Sequence, residues 1–289
     1  MEACPLRAAD LCLALPLLLL PAAAHCQGID QYFPASGVRV VVLRADEGNL
    51  ACRTGSGEEI HFVLDGSRNG TPVSSFHPFA ALRDSAWGDT LYLGVTMRSP
   101  SSPFAVSQAV SISLELPRGM EWSADIEDGG ILARDMSGPA NLRTRHGTIH
   151  LEDLDGDMTL KTGSGTIYGR DLRGSLLASC DDGNIDVSGR FDRVRILAES
   201  GSISLRADKG SKVDIERGTE WYFRTDSGDI TLGLPDDLCA RIDAPASRAE
   251  DMDWGARSPG GPLAAMAARP GRECGVVRLV SRSGRIRLR

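Results

Sequence analysis

Two clusters of acidic residues offer the most chemistry in this chain of 289 residues. Their members are Glu152, Asp153, Asp155 and Asp157 in EDLDGDM, and Asp181, Asp182 and Asp186 in SCDDGNID. Carboxylates that alternate around a glycine can supply oxygen ligands to Ca²⁺. The first cluster lacks the closing glutamate of an EF-hand loop, and Asp and Gly are also the residues that turns favour. Calcium binding stays open, although the pattern favours solvated turns.

The histidines and serines show no arrangement typical of catalysis or metal binding. His146 and His150 are four residues apart. This spacing suits a metal when both residues lie on one face of a helix, whereas these two are predicted to lie on neighbouring strands around one turn. The sequence has no GxSxG and no GxxxxGK[ST] motif, and the glycine-rich KTGSGTIYG precedes no predicted helix that would receive a phosphate. The sequence therefore predicts no catalytic residue, no cofactor and no metal site, and indicates that the protein is not an enzyme.

These residues belong to a repeat in which Gly-x-Ile recurs every 18 residues and then twice more after longer intervals. The glycines are Gly129, Gly147, Gly165, Gly183, Gly201, Gly228 and Gly284. The isoleucines two positions later are Ile131, Ile149, Ile167, Ile185, Ile203, Ile230 and Ile286. A fixed period of this kind indicates a repeat architecture.

The pattern around each glycine predicts strand, turn, strand and corner. Apolar or small residues occupy the positions five and three before the glycine and two and four after it, with mostly polar residues between them. This alternation predicts two short strands, each with one inward face. The glycine itself forms the turn, where positive φ or a close approach of two backbones favours this residue. A second corner follows at Gly138, Gly156 and Gly174.

One such unit cannot bury its inward face alone, whereas a stack of units can. We therefore predict an all-β fold, a single-chain β-solenoid or β-helix of 18-residue coils with the isoleucines as its core ladder. The repeat domain covers 117–289. Residues 29–116 form a β-rich section of irregular coils or a cap, with strands at 38–43 and 109–116. Within it, LACRTGSGEEIHF resembles a further unit.

The outward side chains decide between a binding module and an enzyme that cleaves acidic polysaccharides on the same scaffold. The column near the fourth position before the glycine contains Asp125, Arg143, Lys161, Ser179, Leu197, Arg224 and Arg282. It is mixed and repeats no acid–base pair. A non-catalytic binding or structural protein is therefore favoured, and the carbohydrate-active enzyme is the alternative.

The first 28 residues are predicted to be a secretory signal peptide. Arg7 precedes the apolar run 11–21, which is too short to span a bilayer, and three alanines then offer a cleavage site. Cys26 leaves a lipid anchor as the alternative to a free chain, although His25 fits poorly before a lipidated cysteine. The protein is thus expected to be exported, in the periplasm, at the cell surface or secreted, without a transmembrane segment in the mature chain.

The cysteines show no CxxC spacing, which argues against a zinc site. In an exported protein Cys239 and Cys274 are the best candidates for a disulfide, and two unpaired thiols are the alternative. These two cysteines bracket a predicted loop insertion at about 244–272, rich in Ala, Gly, Pro and Arg. A second interruption, around SKVDIERGTEW, would bulge out or add a strand.

The net charge of −7 argues against a nucleic-acid partner.

The motifs RTDSGDITL at 224–232 and SRSGRIRL at 281–288, with LELP at 114–117, resemble the DUF4097 family of bacterial exported proteins. That family carries the label "putative adhesin" and is related to the auto-transporter adhesin head (GIN) domain. The resemblance implies a β-helical fold, an exported location and an unknown surface or envelope ligand, protein or polysaccharide. It implies no catalytic residues.

Overall fold

A computed structural model describes residues 28–68, 71–72, 80–97, 108–213, 220–244, 252–253 and 275–289. Every regular element in these ranges is a strand, which confirms the all-β prediction. The strands are β1 (Ile29–Pro34), β2 (Val40–Glu47), β3 (Asn49–Thr54), β4 (Glu59–Arg68), β5 (Thr71–Pro72), β6 (Ala80–Trp87), β7 (Thr90–Met97), β8 (Gln108–Leu116), β9 (Glu121–Asp128), β10 (Ile131–Ser137), β11 (Ala140–His146), β12 (Ile149–Asp155), β13 (Met158–Ser164), β14 (Ile167–Asp182), β15 (Ile185–Ser200), β16 (Ile203–Ala207), β17 (Trp221–Ser227), β18 (Ile230–Gly233), β19 (Ala240–Asp243), β20 (Met252–Asp253), β21 (Gly275–Ser283) and β22 (Ile286–Leu288).

The repeat strands form two ladders of parallel pairs. The before-glycine ladder joins β2, β9, β11, β13, the second halves of β14 and β15, β17 and β21. The after-glycine ladder joins β3, β10, β12, the first halves of β14 and β15, β16, β18 and β22. Each strand pairs with the equivalent strand of the next repeat, so the chain alternates between the ladders.

The register of these pairs follows the repeat. Ile149 pairs with Ile131 on one side and with Ile167 on the other, and the same match continues to Ile286. All seven isoleucines are at most 4% exposed. The positions five before each glycine are buried as well. One continuous apolar core therefore lies between the two ladders.

The turn glycines carry hydrogen bonds from one unit to the next. The N–H of Gly147 donates to the carbonyl of Ser164 at 2.9 Å, and the N–H of Gly165 donates to that of Asp182 at 3.0 Å. Gly165 has φ +135°, and a Cβ added there would lie 2.1 Å from the carbonyl oxygen of Gly147. Backbones of successive turns thus approach too closely for any other residue.

The position three before the glycine has a role that the alternation did not predict. In five of the seven units its side chain donates to the carbonyl of the preceding turn glycine. The pairs are Thr144 to Gly129 at 2.8 Å, Thr162 to Gly147 at 3.1 Å, Cys180 to Gly165 at 3.3 Å, Thr225 to Gly201 at 3.0 Å and Ser281 to Gly228 at 3.2 Å. Since a buried carbonyl needs a donor, these side chains explain why threonine recurs there.

We expect Thr162→Val to lower the free energy of unfolding by about 1–2 kcal/mol, although the two side chains have nearly the same shape. The valine leaves the Gly147 carbonyl without its hydroxyl donor in a buried place. Thr159→Val, on an exposed outward position of the same strand, is the matched control and should stay within about 0.5 kcal/mol. Urea unfolding measures both, and equal stabilities of the two variants would contradict the assigned hydrogen bond.

The N-terminal section joins the ladders and then departs from them. β2 and β3 pair in parallel with β9 and β10, and β2 and β8 correspond to the two predicted strands. β4, however, runs antiparallel to both β8 and β1, and β6 runs antiparallel to β7. Of the predicted unit LACRTGSGEEIHF, the first part is strand β3 of the after-glycine ladder. The second part does not continue the repeat, because Ile60 pairs with Phe33 in an antiparallel arrangement.

The C-terminal strands do not follow chain order. β21 lies between β17 and β19, and β22 lies between β18 and β20. The unit of Gly284 is the last in the sequence, but it does not lie at the end of the stack, because β19 and β20 pair on its far side. Ile286 pairs with Ile230 on one side and Met252 on the other. The predicted insertion at 244–272 and the interruption around 214–219 fall almost wholly outside the described residues.

Candidate binding groove

An open groove of about 650 Å³ crosses the outer face of the before-glycine ladder. Two adjacent columns of outward side chains line it, at positions six and eight before the repeat glycines. The first column is Thr159, Leu177, Arg195, Tyr222 and Arg278, and the second is Asp157, Ser175, Arg193 and Glu220. The register pairs neighbours within the first column strand by strand from β13 to β21. The groove thus runs across five repeat units.

Two arginines in the groove have no carboxylate partner among the described residues. Arg193 and Arg195 are exposed, and neither makes an ion pair within the described residues. The Arg195 guanidinium carbon lies 5.3 Å from the centre of the Tyr222 ring, a cation–π contact. Arg278 differs, since it lies 3.4 Å from Glu220 and 3.1 Å from Asp243. The groove therefore presents two available positive charges beside an aromatic ring.

Several arginines elsewhere on the outer faces pair with acids of a neighbouring unit. Arg145 lies 2.8 Å from Glu127, and Arg134 and Arg170 both contact Glu152. A smaller pocket of about 230 Å³ near Asp125 contains equal numbers of arginines and acids. Such exposed pairs contribute little to stability and leave no charge for a ligand.

Three of the acidic residues singled out in the sequence, Glu152, Asp153 and Asp182, have partners or backbone conformations that belong to the scaffold. Glu152 is engaged by two arginines, and Asp153 adopts φ 54°, a left-handed conformation that Asp tolerates better than most residues. Asp182 accepts a hydrogen bond from the Ser200 hydroxyl at 3.1 Å. Within the described ranges, no three of the His, Cys, Asp and Glu side chains form a group that could hold a metal ion.

The histidines and the outward column are also located. His146 Nδ1 lies 2.8 Å from the Ser164 hydroxyl, whereas His150 packs edge-on against Tyr168 with ring centres 4.7 Å apart. The two histidines therefore have separate partners. In the column of Arg224 the β21 residue is Val280, not Arg282 as predicted. Arg224 is bonded to Asp226 at 3.0 Å, and this hydrogen bond raises the pKa of the guanidinium.

The three described cysteines fall into two groups. Cys239 is part of a disulfide, and its predicted partner Cys274 lies outside the described residues, so the pairing stays a prediction. Cys52 and Cys180 are free and buried. Burial raises the pKa of both thiols, that of Cys180 to about 11 with a further contribution from Asp181 and Asp182. Both thiols therefore stay protonated in the folded protein at neutral pH.

We expect stability to fall as the pH rises above 9, because the unfolded chain ionises these thiols there and the folded chain does not. Cys180→Thr removes one titrating group and keeps a donor for the Gly165 carbonyl. Between pH 8 and pH 10 this variant should lose about 1 kcal/mol less than the wild type. Urea unfolding at the two pH values measures the difference. Identical losses in the two proteins would show that Cys180 does not titrate differently on folding.

The groove was not predicted from the sequence. The prediction used the outward column near the fourth position before the repeat glycines, whereas the groove is lined by the columns at the sixth and eighth positions. A usable signal was present. Leu177, which is 41% exposed, and Tyr222 interrupt polar residues at an outward position. An exposed leucine and a tyrosine beside arginines are typical of a binding surface rather than of a solvated strand face.

No protein-family model and no curated protein matches the chain. A solved structure of a "putative cell adhesion protein" from Clostridium sporogenes is similar at 9% identity, covering 91% of this chain and 98% of that one, with a TM-score of 0.27. A "putative adhesin" from Bacteroides fragilis is similar at 8% identity, covering 91% and 97%, with a TM-score of 0.37. TM-scores this low support no argument about this chain. Among the described residues no helix has the length and apolarity needed to cross a bilayer.

Proposed function

We propose that this chain is an exported β-solenoid of the DUF4097 kind that acts without catalysis as an adhesin-like binding module of the cell envelope. The observation that carries the proposal is the groove across five units, with Arg193, Arg195 and Tyr222 at its centre. The two parallel ladders support the solenoid, because each unit repeats the register of the one before it. The predicted signal peptide supports export.

The arrangement of acids in the groove disfavours the enzymatic alternative. Glycoside hydrolases place two carboxyl groups about 5–10 Å apart across the scissile bond. Asp157 and Glu220, the carboxylates that line the groove, stand three strand spacings apart, which is roughly 14 Å. A mixed groove with two uncompensated arginines can hold a ligand, but this pair cannot act on one bond.

The proposal is tested by incubating the purified protein with the outer-surface fraction of bacterial cells and with acidic polysaccharides. We expect saturable binding and no new reducing or unsaturated ends over time. A control protein of similar size and charge should not bind. Reproducible turnover would show an enzyme, and the absence of saturable binding would contradict the binding module. Mass spectrometry of the mature N-terminus tests export, and a diacylglyceryl group on Cys26 would show an anchored rather than a free chain.

A further inference from the structure

We propose that the groove binds an acidic polysaccharide, a sugar chain that carries carboxylates, through Arg193 and Arg195. This inference rests on the proposed binding function and specifies its ligand class. The first supporting observation is the charge of the groove. The groove lining contains three arginines and two acids, whereas the chain as a whole has a net charge of −7. The groove is therefore locally positive on a negative protein, and it favours a negatively charged ligand.

Arg193 and Arg195 keep positive charge that a carboxylate of a ligand can meet. The cation–π contact holds the guanidinium of Arg195 near Tyr222 but does not neutralise it, unlike the carboxylate partners of Arg145 and Arg134. Arg193 stands one outward position earlier on the same strand. A guanidinium offers a planar fork of donors that matches a carboxylate in bidentate geometry. Two such forks on one strand can receive the carboxylate oxygens of the sugar that crosses that strand.

The uncharged lining fits a sugar. Leu177 is 41% exposed and lies between Thr159 on one neighbouring strand and Arg195 on the other. A pyranose ring combines an apolar C–H face with hydroxyl groups around its edge. An exposed apolar side chain flanked by the hydroxyls of Thr159 and Ser175 complements both parts of such a ring.

The dimensions agree with an elongated ligand. Equivalent positions on neighbouring parallel strands repeat at about 4.8 Å, so the column from Thr159 to Arg278 extends over roughly 19 Å. A sugar residue in an extended polysaccharide advances by a distance similar to one strand spacing. A chain lying across the strands therefore meets a new set of outward side chains with each sugar.

Nucleic acid, another polyanion, fits less well. It carries a phosphate on every nucleotide, and its affinity depends on many Lys and Arg contacts. The groove offers two uncompensated arginines, with Asp157 and Glu220 in the same lining. Single-stranded nucleic acids are also held by the stacking of successive bases on several aromatic side chains, whereas the described lining of the groove contains one aromatic ring, that of Tyr222.

The test is a calorimetric titration of the purified protein with a short galacturonic-acid oligomer at pH 7 and about 0.15 M salt, where exposed charges are screened beyond roughly 8 Å. Its methyl ester, which has the same length and no charge, is the ligand control. We expect the acid oligomer to bind at least roughly tenfold more tightly than the ester. Arg193→Gln/Arg195→Gln should weaken binding at least roughly tenfold, and Arg195→Lys, which keeps the charge but loses the planar fork, should fall between.

Arg190→Gln/Arg206→Gln is the matched control, because it removes the same charge from exposed positions outside the groove. Its affinity should stay within about twofold of the wild type, since distant exposed charges are screened. An equal loss in this control, equal binding of the ester, or tighter binding of a single-stranded oligonucleotide would overturn the proposal. Binding of the surface fraction without binding of the oligomer would overturn the ligand class alone and leave the binding module standing.

Discussion

Gly165→Ala is expected to lower the free energy of unfolding by about 2–6 kcal/mol. The residue has φ +135°, where an L side chain is strained, and this contributes about 1–3 kcal/mol. The new Cβ would also lie 2.1 Å from the carbonyl oxygen and 2.7 Å from the carbonyl carbon of Gly147. Both are backbone atoms of the adjacent unit, so no side chain can move aside, and overpacking adds about 1–3 kcal/mol. Urea unfolding measures the sum.

Two other glycines separate the contributions. Gly119 has φ +77° with nothing within 4 Å of an added Cβ, so Gly119→Ala should show the backbone strain alone, about 1–2 kcal/mol. Gly57 has no positive φ and its nearest atom is 3.8 Å away, so Gly57→Ala should change stability by less than about 0.5 kcal/mol. If Gly165→Ala cost no more than Gly119→Ala, the close approach of successive turns would be wrong.

Ile167→Ala should cost about 2–5 kcal/mol, because it removes buried methyl groups from the middle of the core. Ile167 is fully buried, and Ile149 and Ile185 pair with it on the two neighbouring strands. These strands are held by their own hydrogen bonds, so they cannot close the cavity. The control is Thr166→Ala on the preceding residue, expected within about 0.5 kcal/mol. Comparable losses in both variants would mean that the inward and outward faces are exchanged.

Much of the fold was predictable from local pattern. The alternation around each glycine anticipated the strands on either side of Gly147 and Gly165, because a side-chain period of two is intrinsic to a strand. The hydrogen bond from Thr162 was not predictable, since alternation marks the position as inward without naming the carbonyl it meets. The order of units at the C-terminal end was also missed. Sequence spacing gives the repeat but not the spatial order once a long interval intervenes.

The groove shows a different limit. A repeat pattern identifies positions that carry the same residue in every unit, such as the isoleucine two residues after each repeat glycine. A binding surface arises from how one column varies between units, as Leu177, Arg195 and Tyr222 do. Which of several outward columns forms a concave surface depends on the three-dimensional path of the strands. That path follows from packing rather than from the spacing of glycines.

The position of β21 and β22 determines when the strands at this end of the two ladders can pair during synthesis of the chain. β19 and β20 are translated before β21 and β22, yet among the described strands they pair with these later strands alone. Until residues 275–289 emerge from the ribosome, β17 and β18 keep open edges with unpaired N–H and C=O groups, and such edges invite pairing with other chains. Closure of this end is therefore a late event, and a nascent chain paused before residue 275 would be the form most prone to aggregate.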